Sequence, residues 1–191
     1  MFSSSRLLFR IGFIVILLTV FITESFAQSV DLDADAHTRA SQAITIAKAN
    51  GTDIGEVTAA QLGDVIEAME TGQFADSNTT NSGVAVAMSS STKRYKCSKT
   101  NWYAGHGLTI NWWADGRVSS GRIREITNTG YNWTWLTWIP TLDAVVNATV
   151  TAHIRNSGRK VKIYIDGTVK YWFAGLPIST RALNESCTKN A

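Results

Sequence analysis

The stretch Val146-Asn-Ala-Thr-Val-Thr-Ala-His-Ile154 decides the fold. Its apolar residues (146, 148, 150, 152, 154) alternate with polar ones, the period of a strand buried on one face. Asn156-Ser-Gly158 then reads as a turn. Val161, Ile163 and Ile165 alternate next with Lys160, Lys162 and Tyr164, up to Asp166-Gly167. A three-residue loop there would pair Ile165 with Val169, Ile163 with Tyr171 and Val161 with Phe173, keeping one face apolar. A two-residue loop would mix the faces. In the preferred register the opposite face displays Lys160, Lys162, Tyr164, Lys170 and Trp172 together.

Working toward the N-terminus, Asp115-Gly116 reads as a second hairpin turn, joining strands at 108–113 and 117–126, with Gly121 as a bulge. Residues 132–139 form another strand, with Trp133 and Trp135 on one side and Leu136 and Trp138 on the other. Five or six short strands separated by turns predict an antiparallel sandwich or small barrel over residues 95–191.

Upstream the period changes. Ala40, Ala43, Ile44 and Ala47 fall at helical spacing, as do Leu62, Val65, Ile66 and Met69. Gly51 stands where a first helix would end, and Thr58 with Gln61 forms a capping-box pattern opening a second. The fold class is therefore α+β by segment: a small acidic helical segment over 28–75, then the all-β domain. The Ser/Thr/Asn-rich stretch 76–94 reads as a linker, with a short strand over 84–88, and it ends in the dibasic pair Lys93-Arg94.

Residues 1–27 carry Arg6 and Arg10, a twelve-residue apolar run and Ser25-Phe26-Ala27. This is a signal-peptide pattern with cleavage after Ala27. Secretion, or export to a periplasm, is the expectation. Cys97 and Cys187 then read as a disulfide. Lys93-Arg94 reads as a processing site that would release residues 95–191 from an acidic pro-segment. Four N-glycosylation sequons begin at Asn78, Asn132, Asn147 and Asn184.

The 191-residue chain has a formal charge of +3, which conceals a division. Residues 28–92 carry nine acids and two bases, and residues 93–191 carry fourteen bases and five acids. Arg117, Arg122, Arg124, Arg155, Arg159, Lys160, Lys162 and Lys170 fall on turns or solvent-side strand positions. Clustered positive charge attracts anionic lipid or other polyanions. The leading expectation is a secreted cationic domain that binds an anionic membrane surface as a defence or toxin-type factor. Lys160, Lys162, Lys170, Arg122 and Arg124 would capture it, and Trp112, Trp172 and Tyr164 would insert. The alternative is a lectin-like module that stacks glycans on the same tryptophans. A third is a nuclease or other hydrolase using His106 with His153 or Glu125. No nucleophile-elbow, zinc-protease, phosphate-loop or calcium-loop motif occurs in the sequence, so the balance leans away from an enzyme, and no cofactor or metal is expected. The acidic segment, if retained, is expected to dock on the basic face and mask it.

Overall fold

The computed structural model describes residues 28–76 and 91–191. The signal-peptide pattern with Ala27, most of the linker, the strand at 84–88 and the Asn78 sequon lie outside the described residues. Two helices, α1 (Ala36–Ala49) and α2 (Ala59–Thr71), precede a two-residue strand β1 (Ala75–Asp76). Six long strands follow: β2 (Ser91–Tyr103), β3 (His106–Ser119), β4 (Arg122–Leu136), β5 (Leu142–Arg155), β6 (Lys160–Phe173) and β7 (Leu176–Asn190). They form two antiparallel sheets, ordered β1-β2-β3-β4 and β5-β6-β7. The architecture is a sandwich, and the barrel alternative is not realised because the sheets stay separate.

Both helices form where the apolar spacing puts them, and all eight residues of the two periodic sets are buried. Asp35 caps α1 by accepting from the Thr38 amide, and Gly51 beyond its end takes φ 71°. Thr58 and Gln61 make both bonds of the capping box.

The helices share one hydrophobic core with the strands; Ala40, Leu62 and Met69 belong to the same cluster as Ile110, Ile163 and Phe173. They dock where β2 ends and β7 begins. Arg39, 6% exposed, donates to Glu70 at 2.7 and 2.8 Å and to the Ile178 carbonyl at 3.0 Å. Glu70 also accepts from the Ser179 hydroxyl, and Arg181 donates to the Met69 carbonyl at 2.7 Å.

Neither Asp-Gly pair makes a turn. Asp115-Gly116 lies inside β3 beside a register shift, and Asp115 is held there by two bonds from Arg94 at 2.7 and 2.8 Å. Asp166-Gly167 lies inside β6, opposite Thr149 and Ala148. A Cβ on Gly167 would come within 2.2 Å of the Asn147 carbonyl oxygen, so this glycine permits close strand approach. The turns fall instead at Ala104-Gly105, Ser120-Gly121 and Ala174-Gly175, where every residue has positive φ. That is the requirement of a two-residue hairpin matched to strand twist, and glycine at the second position meets it. Gly121 is thus a turn residue and not a bulge. The turn at Asn156-Ser-Gly158 is present.

The linker also ends earlier than its composition suggests. Lys93 and Arg94 sit inside β2, paired with Gly116 and Asp115. Cys97 and Cys187 are joined, with Cα atoms 6.2 Å apart, so the bridge ties β2 to β7 across the two sheets. Lys99 and Glu185 form a second tie between the same strands at 2.7 Å.

Candidate anion-binding end of the sandwich

Antiparallel meander topology puts the start of β2, the end of β3, the start of β4, the end of β5, the start of β6 and the end of β7 at one end of the sandwich. The helices occupy the other end. Residues 91–97, 114–127, 152–164 and 187–191 make up the first end. They contain eleven Lys and Arg (93, 94, 96, 117, 122, 124, 155, 159, 160, 162, 189) against Asp115 and Glu125. Nine of the eleven side chains are exposed, and Lys162 and Lys189 are half-buried. Arg94 pairs with Asp115 and Arg117 with Glu125, at 3.1 Å for the second. The other nine cations have no carboxylate partner among the described residues.

This charge acts on its neighbours. The Tyr164 phenol is held below its usual pKa, first by the hydrogen bond from Lys162 and then by the Lys162 and Arg155 charges. The Lys162 ammonium lies 4.8 Å from the Tyr164 ring centroid, and His153 meets the same ring edge-on at 5.7 Å. Arg94 holds the Asp115 carboxyl below its usual range through their hydrogen bonds.

Of the expected capture residues, Lys160, Lys162, Arg122 and Arg124 are at this end, with Tyr164 beside them. Gly158 fits against Arg122 and Ile123; a Cβ there would come within 2.7 Å of the Ile123 carbonyl, so the β5–β6 turn rests directly on the start of β4. Lys170 and Trp172 keep the expected outward face but stand elsewhere. Because β6 runs straight through Asp166-Gly167, Lys170 is eight residues beyond Lys162, about 26 Å along the strand. Trp172 is half-buried beside a shallow groove of about 570 Å³ at the helix end, lined also by Thr52, Leu142 and Asp143.

Trp112 is 1% exposed, with its indole nitrogen directed to the Ile163 carbonyl at 3.4 Å. Strand parity sends Trp113 outward in its place, so Trp112 is core and has no access to a surface. The exposed aromatic and large aliphatic side chains, Trp102, Tyr103, Leu136 and Trp138 foremost, lie toward the helix end.

The catalytic candidates are not brought together. His106 opens β3 at the helix end, is 0% exposed and bonds Thr137 through Nδ1 at 2.8 Å. Burial lowers its pKa, and Nε2 has no partner among the described residues. Glu125 lies opposite Arg117, eleven residues along β3, about 35 Å away. His153 is near that same basic end. The acidic helices do not cover the basic face either: they sit at the opposite end, so the molecule is polarised along its length.

Lys93, Arg94, Lys96 and Lys189 also belong to this set, and residue spacing does not reveal them. Pairing register alone assigns them, since they are distant in sequence from residues 155–162. Among the described residues no helix is long and apolar enough to cross a membrane, and no cluster of His, Cys, Asp and Glu could hold a metal ion. No protein-family model matches the chain, and neither the curated proteins nor the solved structures contain a match.

Proposed function

We propose that this protein is a secreted defence or toxin-type factor that captures anionic cell surfaces through the basic end of its sandwich. The observation that carries this reading is the gathering of eleven Lys and Arg, nine without a carboxylate partner among the described residues, at the end remote from the acidic helices. Secretion is supported by the signal-peptide pattern before Gln28 and by the Cys97–Cys187 bridge.

Each Lys or Arg close to an anionic leaflet contributes about 1 kcal/mol. Four or five engaged together give roughly 4–5 kcal/mol, enough for reversible capture. The charge comes from all six long strands, which suits a broad anionic surface better than a narrow groove ligand. The acidic helices at the far end add a turning moment that presents the basic end first. Tyr164 is the aromatic of the expected insertion set that stands beside this charge, so the contact is chiefly electrostatic.

The test is vesicle sedimentation with phosphatidylserine-rich and purely phosphatidylcholine membranes. Binding is expected on the first only, falling steeply as salt rises from about 50 to about 200 mM. Lys160→Glu with Lys162→Glu should weaken it by roughly two orders of magnitude, two charges being reversed at about 1 kcal/mol or more each. Equal binding to neutral vesicles, or indifference to salt, would overturn the proposal.

A further inference from the structure

The outer face of β2–β3–β4 carries a second surface of different chemistry. Cross-strand register arranges its outward side chains in rows: Trp102–Gly107–Leu136, Thr100–Thr109–Thr134, Ser98–Asn111–Asn132 and Lys96–Trp113–Gly130. Two of these rows join a tryptophan directly to a glycine on the neighbouring strand. A Cβ on Gly107 would come within 2.1 Å of the Trp102 ring, and one on Gly130 within 2.6 Å of the Trp113 ring. Each indole therefore packs against a glycine; the Trp102 ring is open to solvent on its far side, whereas the Trp113 ring is half-buried and carries the Arg94 guanidinium over it. Glycine inside a strand weakens a sheet, so Gly130 in the interior of β4 marks what that position accommodates, and Gly107 gives Trp102 the same room at the start of β3.

Trp102 is 57% exposed. The two rings are separated by six residues along β3, about 20 Å. Between them stand only hydroxyl and amide side chains, with Thr100 and Thr109 bonded to each other at 2.9 Å. Beyond Trp113 lie the paired Arg94 and Asp115, with the Arg94 guanidinium 5.0 Å from the Trp113 ring centroid.

From this arrangement we infer that the face is a stacking platform for a neutral, extended β-linked polysaccharide. A pyranose ring has a flat C–H face that stacks on an indole and a rim of hydroxyls that exchange hydrogen bonds with Thr, Ser and Asn. The two middle rows are uncharged, which matches a neutral chain and supplies no positive charge to balance a phosphate or sulfate. Trp102 packed against Gly107 and Trp113 held between Gly130 and Arg94 are fixed against the sheet, which favours stacking over insertion. A span of about 20 Å fits an extended chain of several sugar units better than a single sugar. This site is independent of the basic end.

The experiment is retention of the full chain on insoluble cellulose, on chitin, and in affinity electrophoresis through soluble β-glucan. The protein should come from a host without N-glycosylation, because the Asn132 sequon opens on this face. Work in about 0.5 M NaCl, where the screening length is near 4 Å, suppresses charge-driven binding. Retention on at least one polysaccharide is expected, reduced about tenfold or more by Trp102→Ala and unchanged by Lys160→Glu with Lys162→Glu. Trp113→Ala should act likewise. If that variant misfolds, Trp102→Ala alone decides the outcome, its thermal transition showing that the fold is intact. Failure to bind all three polysaccharides would overturn the inference, as would full retention by Trp102→Ala or loss through the Lys160 and Lys162 reversals alone.

Discussion

Trp133 and Ala144 are joined by a hydrogen bond of 3.2 Å from the indole nitrogen to the carbonyl oxygen, although their strands belong to different sheets. It is one rung of a series. Thr129 donates to the Val150 carbonyl at 3.1 Å, Tyr131 to Val146 at 3.5 Å and Trp135 to Leu142 at 3.1 Å. The donors are alternate residues of β4, and the acceptors are carbonyls on the edge of β5 that faces away from β6. An open strand edge invites pairing with another chain, and here side chains occupy its acceptors. The seam between the sheets is closed without backbone pairing.

Tyr131→Phe removes both the bond to the Val146 carbonyl and the one its oxygen accepts from the Ala148 amide at 3.2 Å, and Trp133→Phe removes a bond together with part of a ring, so each should cost about 1–2 kcal/mol. Urea midpoints would read the loss. The double variant should also aggregate faster, because the β5 edge is freed. Unchanged midpoints would mean that water replaces the rungs at no cost.

The Arg39 network ties the helices to the sheets, which predicts that they unfold as one cooperative unit. Arg39→Leu would leave Glu70, partly buried, without its partner, costing about 2–3 kcal/mol. A single thermal transition is expected for the parent protein, shifted downward as a whole in the variant. Two transitions, with only the helical one moving, would show that the helical hairpin is a separate unit.

Glu70 and His106 both contribute to the response to acid, and their signs run the same way. Burial pushes the Glu70 carboxyl up, but the bonds from Arg39 and Ser179 together hold it below the usual range. Its contribution is present above the unfolded pKa of about 4.3 and is lost as pH falls through the lower folded value. His106 is buried neutral, with its pKa lowered by desolvation. The unfolded chain takes up that proton first, so stability falls from about pH 7 down toward the folded pKa. Urea midpoints at about pH 7.5 and about pH 5 should differ in the parent and converge in His106→Gln. A slope unchanged by that substitution would assign the effect elsewhere.

Lys93 and Arg94 are strand residues, and Arg94 is fixed to Asp115 by two bonds. Proteases need several residues of unpaired chain, so a dibasic-specific enzyme should cut the folded protein after Arg94 slowly. Arg94→Ala is expected to loosen the strand while removing the site, so the cleaner variant is Asp115→Asn, which should speed cutting. Mass spectrometry of the digest reads both. Rapid release of residues 95–191 from the parent would contradict this expectation and support processing at Lys93-Arg94.

Much of the architecture is legible in local pattern. Both helices, their caps and the inward faces of β5 and β6 follow from residue spacing, because a 3.6 or 2.0 period reflects which face must leave water. Hairpin positions do not follow from it. Asp-Gly is the stronger turn pair by propensity, yet Asp115 has Arg94 across the sheet and Gly167 has Asn147 close by, so tertiary partners retain both in strands. Moving the β6 turn leaves face parity unchanged but separates Lys170 from Lys162. Trp112 and Trp113 could not be told apart for a similar reason: adjacency requires one to face outward, and only register says which. The basic end is legible as charge but not as a place, since Lys93, Arg117, Arg155 and Lys189 meet only through pairing.

The most direct measurement compares two single reversals, Lys160→Glu and Lys170→Glu, for binding to phosphatidylserine-rich vesicles at low salt. Each changes the net charge equally, but only Lys160 stands at the end where the cations gather. Weakening of about tenfold or more is expected for Lys160→Glu, with little change for Lys170→Glu. Equal losses would mean that net charge alone governs binding, and they would contradict a localised anion-binding end.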